Sequence, residues 1–155
     1  MSSENNIENS TLEKPKKQTK KTREQIEEYE AQIAELGNQE KNLNASLESL
    51  SKDVEALGER SALKMKVKHR KYGIGTIVKQ EEKYIDVKFD SVTKKFVLPG
   101  AIAEKYLKTD DDEVFDYYTK SFDLHNKIQK VQLQLRSNDF AVQRIKENID
   151  KINHK

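Results

Sequence analysis

The chain of 155 residues contains no cysteine and no tryptophan, and it has only two prolines and five glycines. The lack of cysteine excludes disulfide frameworks, thiol nucleophiles and cysteine-ligated zinc. Apolar residues make up 34% of the sequence and charged residues 36%, which is a low apolar content for an ordinary compact domain. This composition is typical of long helices that bury one narrow stripe and expose the rest of their surface.

Long apolar runs are also missing. No segment approaches the roughly 18 consecutive apolar residues of a membrane-spanning helix, and residues 1–21 lack the apolar region of a signal peptide. We therefore expect a cytoplasmic protein that does not associate with membranes. Residues 1–21 are polar, include Pro15 and show no periodicity, so they are predicted to form a disordered basic tail.

Two segments carry apolar residues at alternating spacings of three and four, which is the pattern of coiled-coil helices. Residues 22–58 are predicted to form the first helix, with a capping box at Thr22 and Gln25 and a stop at Gly58. Residues 111–153 are predicted to form the second helix. The first seam consists of Ile26, Tyr29, Ile33, Leu36, Glu40, Leu43, Leu47, Leu50, Val54 and Leu57, and the second of Val114, Tyr117, Ser121, Leu124, Ile128, Val131, Leu135, Asn138, Val142, Ile145, Ile149 and Ile152.

The two seams match as an antiparallel pair within one chain. In such a pair the numbers of facing residues have a constant sum, and one alignment places Glu40 opposite Asn138. These residues would then form one buried polar layer that fixes the register. We expect a monomer. Pairing between two chains is the alternative, because a heptad pattern does not by itself specify how many chains form the coiled coil.

Residues 64–108 have a different pattern and a strong positive charge. They contain twelve Lys or Arg against five Asp or Glu, a net charge of +7. Apolar residues alternate with polar ones at a period of two, and turn-like breaks separate four or five short segments. The chain is therefore predicted to be an α+β protein, a long antiparallel coiled-coil helical hairpin with a small SH3-like β-barrel inserted at its tip.

The central segment also carries a more specific motif. It reads Val67-x-His69-x-x-Tyr72-Gly73-x-Gly75-x-Ile77, followed by Ile85-x-Val87-x-Phe89 and by Lys95-Phe96. This frame resembles the Tudor-like barrel at the C-terminus of UvrD/PcrA-type bacterial helicases, although the first aromatic is usually Phe in that family. The resemblance covers about 45 residues and none of the helicase motor. It implies a docking module for RNA polymerase.

Basic residues interleaved with aromatics give the best functional signal of the central segment, and this composition suits either nucleic acid or an acidic protein surface. A solvated basic barrel without a partner is a third interpretation. The residues predicted to contact a partner are Tyr72, Lys66, Lys68, Arg70, Lys71, Lys88, Lys94 and Lys95.

Other conspicuous residues are predicted to have structural roles. Gly73 and Gly75 lack the following helix of a phosphate-binding loop and are expected to permit a tight turn. His69 is expected to bond the backbone near that turn, and Phe89 and Phe96 to pack in the barrel. The acidic residues from Asp110 to Glu113 precede a helix, where exposed amides favour acids.

No catalytic residues, metal ligands or cofactor-binding residues are predicted from this sequence. The leading hypothesis is a non-enzymatic adaptor whose barrel docks on a protein of the transcription or DNA-repair machinery, with RNA polymerase suspected. The alternative is sequence-independent binding of nucleic acid. A weaker alternative is an accessory factor of the transcript-cleavage type, in which Asp110 to Glu113 would help to hold a catalytic metal ion.

Overall fold

A computed structural model describes residues 19–154, which form three helices and five strands in an α+β arrangement. Two long helices precede and follow an antiparallel sheet along the chain, and a single helical turn precedes the last strand. The elements are α1 (Lys20–Leu57), β1 (Lys66–His69), β2 (Gly73–Gln80), β3 (Tyr84–Lys88), β4 (Thr93–Val97), α2 (Gly100–Ala103), β5 (Leu107–Lys108) and α3 (Asp112–Asn153).

The chain divides into two compact units. A terminal unit contains the residues up to Leu43 together with those from Gln134 onward, and a central unit spans Asn44–Leu133. Each long helix therefore contributes residues to both units. Within residues 19–154, neither long helix has a stretch apolar enough to cross a membrane.

The first helix begins earlier than the capping-box motif predicts. Thr19 caps α1, because its Oγ1 accepts the backbone N–H of Thr22 at 3.1 Å, which is the bond of an N-cap residue to the third helical residue. Lys20 and Lys21 are therefore helical and do not belong to a disordered tail. The rest of the predicted tail, residues 1–18, lies outside the described residues.

The end of α1 agrees with its sequence signal. Gly58 has a φ of +72°, and its N–H bonds to the carbonyl oxygen of Val54 at 3.2 Å. This is the left-handed cap that glycine permits after the last helical residue.

The terminal unit does not contain the predicted polar layer of Glu40 and Asn138. Glu40 is exposed, and Nδ2 of Asn138 is buried without a hydrogen-bond partner among the described residues. A groove beside Asn138 is lined by Gln39 and Leu43 of α1 and by Gln134 of α3. Burying a carboxylate costs more than burying an unpaired amide, in keeping with an exposed Glu40 and a half-buried Asn138.

The central unit is built on a five-stranded antiparallel sheet with the strand order β4-β3-β2-β1-β5. Consecutive strands from β1 to β4 pair as neighbours, and β5 returns to the free edge of β1. The turn predicted at Tyr72 to Gly75 is displaced, because β2 already begins at Gly73. Gly73 has a φ of +81°, a conformation that glycine adopts without strain.

One face of the sheet forms the core of the central unit. Val67, Ile77, Ile85, Val87 and Phe89 alternate inward along β1, β2, β3 and the residue after β3, in keeping with the period of a strand. The segment after β4 closes this core, and its fully buried Ile102 and Leu107 each contribute about 1.5–3 kcal/mol by leaving water.

The first turns of α3 complete the same core. Val114 and Tyr118 are buried against the sheet residues, although the heptad pattern selects Tyr117 and not Tyr118 as a seam residue. The hydroxyl of Tyr118 donates to the carbonyl oxygen of Arg60 at 3.0 Å, and that of Tyr117 to the carbonyl oxygen of Gly58 at 2.7 Å. Burial raises the pKa of Tyr118 above that of an ordinary tyrosine, opposed by a hydrogen bond with Gln80 and by the charge of Arg60.

Gly75 packs closely against two side chains of this core. A Cβ atom at this position would lie 2.6 Å from Cγ1 of Val87 and 2.7 Å from the ring of Phe89. Both neighbours are buried and cannot move away without disturbing other core residues. Gly75 is thus required by packing rather than by turn geometry.

We predict that Gly75→Ala lowers the free energy of unfolding of the central unit by about 1–3 kcal/mol, because the added methyl group overpacks the core. Gly37→Ala is the matched control, since nothing lies within 4 Å of a Cβ at this helical position. The control should raise helix stability by about 1 kcal/mol. Urea unfolding followed by circular dichroism measures both, and equal effects of the two changes would contradict this account of Gly75.

Candidate docking surface on the outer face of the sheet

The face of the sheet opposite the core carries most of its lysines. Antiparallel register places Lys66 opposite Thr76, Thr76 opposite Lys88, and Lys88 opposite Thr93. A second row places Lys68 between Ile74 and Lys108. We define the outer face as the side chains that share this orientation, namely Lys66, Lys68, Ile74, Thr76, Lys79, Tyr84, Asp86, Lys88, Thr93, Lys95, Val97 and Lys108.

The charge of the outer face is largely unpaired. Asp86 is its one acidic residue and lies between Lys79 and Lys95. Lys79 forms an ion pair with Glu81 at 3.2 Å. Among the described residues no ion pair involves Lys66, Lys68, Lys88 or Lys108.

Lys68 and Lys108 stand directly opposite each other on neighbouring strands. Like charges in this relation destabilise a sheet. A polar or acidic side chain at either position would make the sheet more stable, yet the protein has two lysines there.

The turn between β1 and β2 is organised by His69. Its Nδ1 accepts the backbone N–H of Lys71 at 3.0 Å and that of Tyr72 at 3.3 Å. Since Nδ1 accepts in both bonds, the proton of the neutral ring lies on Nε2. His69 therefore has a structural task in this turn, which leaves Nδ1 with no lone pair for a metal ion or a substrate.

Tyr72 belongs to an aromatic cluster at the same end of the sheet. Its ring centroid lies 4.8 Å from that of His69 and 5.2 Å from that of Phe89. The ammonium groups of Lys71 and Lys94 each lie 5.5 Å from the centroid of Tyr72. Such cation–π contacts contribute about 0.5–1 kcal/mol at exposed sites and hold both charges beside the turn. Phe96 completes the cluster, 5.5 Å from His69.

The predicted contact residues thus fall into two groups. Lys66, Lys68, Lys88 and Lys95 share the outer face. Lys94 has the inward orientation of its strand and reaches the ring of Tyr72 at the rim, beside the turn that contains Arg70 and Lys71.

Eight residues of the outer face were not among the predicted contacts, and Lys108, Ile74 and Val97 are three of them. Lys108 belongs to a strand of only two residues, which is too short to produce a period in the sequence. Ile74 and Val97 are 65% and 59% exposed on the outer face. Ile74 and Val97 could have been found from the sequence, because each is next to a residue that points into the core. Successive side chains of a strand point to opposite faces, so an apolar residue in such a position points outward.

The acidic residues before α3 act as a helix cap. Oδ1 of Asp111 accepts the backbone N–H groups of Glu113 at 3.0 Å and of Val114 at 3.3 Å. Thr109 Oγ1 in turn accepts the N–H of Asp111 at 3.2 Å, and Glu113 lies 3.7 Å from the guanidinium of Arg60. Residues 19–154 contain no group of three or more His, Asp or Glu side chains placed to hold a metal ion.

Comparison of the chain with protein-family models, with curated proteins and with solved structures finds no match.

We predict that Asp111→Ala lowers the free energy of unfolding by about 1 kcal/mol, because α3 loses its capping oxygen. Asp111→Asn should retain most of the stability, since the amide oxygen can accept the same bonds. Asp110→Ala is the matched control, because it removes one adjacent charge and no hydrogen bond. If both alanine variants lose equally in thermal unfolding, the acidic residues act through their charge and not as a cap.

Proposed function

We propose that this chain is a non-enzymatic, cytoplasmic adaptor in which the two long helices pair as an antiparallel coiled-coil hairpin. Most half-buried positions of α1 and α3 repeat at spacings of three and four, as the heptads require, and the pattern is interrupted in α1 at the exposed residues Glu40 and Val54. The groove shared by Leu43 and Gln134 within the terminal unit supports pairing of the helices there. The sheet between them would be an SH3-like or Tudor-like barrel, which its five short antiparallel strands support.

The outer face of this sheet docks on an acidic surface of a protein partner. The observation that carries the proposal is that Lys66, Lys68, Lys88 and Lys108 form no ion pair among the described residues. Lys68 also lies opposite Lys108, and the fold gains nothing from the repulsion of that pair. An acidic partner would neutralise them and would be attracted over long range. The resemblance of the central segment to the helicase barrel makes RNA polymerase the first partner to test.

Exposed apolar side chains favour a protein over nucleic acid as the partner. Ile74, Tyr84 and Val97 lie among the lysines and are 65%, 41% and 59% exposed. Protein interfaces bury such side chains at their centre, whereas a phosphate backbone offers them nothing. The ring of Tyr72 packs on His69 and Phe89, so it is not a freely available platform for a base.

Sequence-independent binding of nucleic acid is the second candidate. The row from Lys66 to Lys88 crosses three strands without an acidic residue, which is the kind of electrostatic surface that follows a phosphate backbone. The transcript-cleavage alternative has weaker support, because Asp111 is engaged in capping α3 and Glu113 lies beside Arg60.

A binding experiment with purified components distinguishes the two candidates. The full chain and a Lys66→Gln, Lys68→Gln, Lys88→Gln variant are tested against RNA polymerase from the source organism and against duplex DNA. We predict binding of the polymerase near physiological salt, weakened about tenfold or more in the variant. Binding of DNA should be weak there, because its affinity falls at a log–log slope of about −0.9 per phosphate contacted.

The matched control replaces three exposed lysines of the long helices, Lys41, Lys130 and Lys146, with Gln. It changes the net charge by the same amount and should leave polymerase binding unchanged. Tight DNA binding at that salt, lost in the outer-face variant and without any binding of the polymerase, would refute the adaptor and establish its rival. An equal loss of polymerase binding in both lysine variants would show that only the net charge matters.

A further inference from the structure

The strand β4 lies at an edge of the sheet and is not covered by another strand. Four of its five residues are exposed, and only Phe96 is half-buried. Two hydrogen bonds beside the strand define which of its backbone groups face outward. Leu98 donates its N–H to the carbonyl oxygen of Lys83 at 2.9 Å, and Phe89 donates to that of Val92 at 2.8 Å.

In an antiparallel ladder, hydrogen-bonded pairs alternate with non-bonded pairs. The bonded pairs Lys83–Leu98 and Phe89–Val92 therefore imply that Lys94 and Phe96 also direct their backbone groups to β3. The residues between them, Thr93, Lys95 and Val97, direct theirs to the open edge. No hydrogen bond of the described residues uses the backbone of these three, so the edge offers three N–H groups and three carbonyl oxygens.

A second copy of the chain does not fit this edge. The only antiparallel register that pairs all three open residues with a second β4 places Thr93 opposite Val97 and Lys95 opposite Lys95. Like charges directly opposite each other are unfavourable, and lysine at an edge is a common device against such association. An acidic side chain opposite Lys95 turns the same contact into an attractive one.

An apolar groove of about 360 Å³ lies next to the end of β4. Phe96, Val97 and Pro99 form one part of its lining, and Tyr106 and Phe122 form another. Val97 and Tyr106 are 59% and 61% exposed. The middle of the edge carries the charge of Lys95, and its end carries an apolar surface. We therefore expect a ligand that has an acidic and an apolar residue two positions apart.

We propose that the edge of β4 binds an extended acidic segment of the partner protein as a sixth, antiparallel strand of the sheet. Backbone groups of the segment bond to Thr93, Lys95 and Val97, a carboxylate faces Lys95, and an apolar side chain lies against Val97 and the groove. Recognition of this kind takes its affinity from main-chain bonds and its specificity from alternate side chains. The proposal rests on the adaptor function and specifies how the partner is held.

The test uses the full chain labelled with ¹⁵N and the peptide acetyl-Thr-Ile-Thr-Asp-Thr-Ile-Thr-amide as the probe. The aspartate of the peptide is meant to face Lys95, and one isoleucine Val97. At saturating peptide, amide exchange at Thr93, Lys95 and Val97 should slow by about tenfold or more, because open N–H groups become bonded. Exchange at Lys94 and Phe96, which already bond to β3, should change little.

Two matched pairs separate strand addition from simple attraction of charges. N-methylation of the aspartate amide of the peptide, which would face the edge, should abolish binding, whereas N-methylation of a neighbouring threonine amide should not. On the protein, Lys95→Glu should abolish binding, whereas Lys130→Glu, which makes the same change of charge at an exposed position of α3, should retain it.

Protection that does not alternate along β4, or equal effects of the two N-methylations, would overturn the proposal. Failure of the peptide to bind while RNA polymerase still binds in an outer-face-dependent manner would overturn it too and would leave the adaptor function intact. Alternating protection together with no binding of the polymerase would instead refute the choice of polymerase as partner and uphold the edge as a binding site.

Discussion

The contact of Val87 and Phe89 with the bare backbone of Gly75 is the constraint on which the central unit depends. With a Cβ at position 75 these side chains would have to withdraw by a large fraction of an ångström, and the inner face could not close at native density. Once that face is closed, the alternation of side chains along each strand determines where the neighbouring side chains point. Lysines next to the inward residues must point to the outer face.

This arrangement links the stability of the sheet to its proposed function. About 45 residues supply only one small core, and the first turns of α3 complete it through Val114 and Tyr118. Such a small core leaves little stability to spare, yet the sheet keeps Lys68 opposite Lys108. Sequences commonly sacrifice local stability where a site serves an external ligand, which is the basis for assigning the outer face to an acidic partner.

Periodic patterns predicted the helices and strands well. They predicted the roles of single residues less well. The heptads located both long helices because many positions repeat the same signal, whereas the cap at Thr19 and the burial of Tyr118 each depend on one tertiary contact. Glu40 and Asn138 occupy equivalent heptad positions, but Glu40 is exposed and Asn138 is half-buried, since a carboxylate is costlier to bury than an amide. The bonds from the turn backbone to His69 agree with the structural role expected of this residue. The open edge of β4 and the position of Lys108 could not be predicted, because no local sequence pattern determines the order of the strands in a sheet.

The central claim is that Lys68 and Lys108 of the outer face repel each other in the free protein. Urea unfolding of the full chain at low and high salt tests this claim with Lys68→Gln and with the control Lys66→Gln, which faces Thr76 instead of a lysine. The account predicts that Lys68→Gln stabilises the sheet by about 0.5 kcal/mol at low salt. The gain should shrink as salt screens the pair, and the control should gain less. No gain from Lys68→Gln, or a gain independent of salt, would contradict the account.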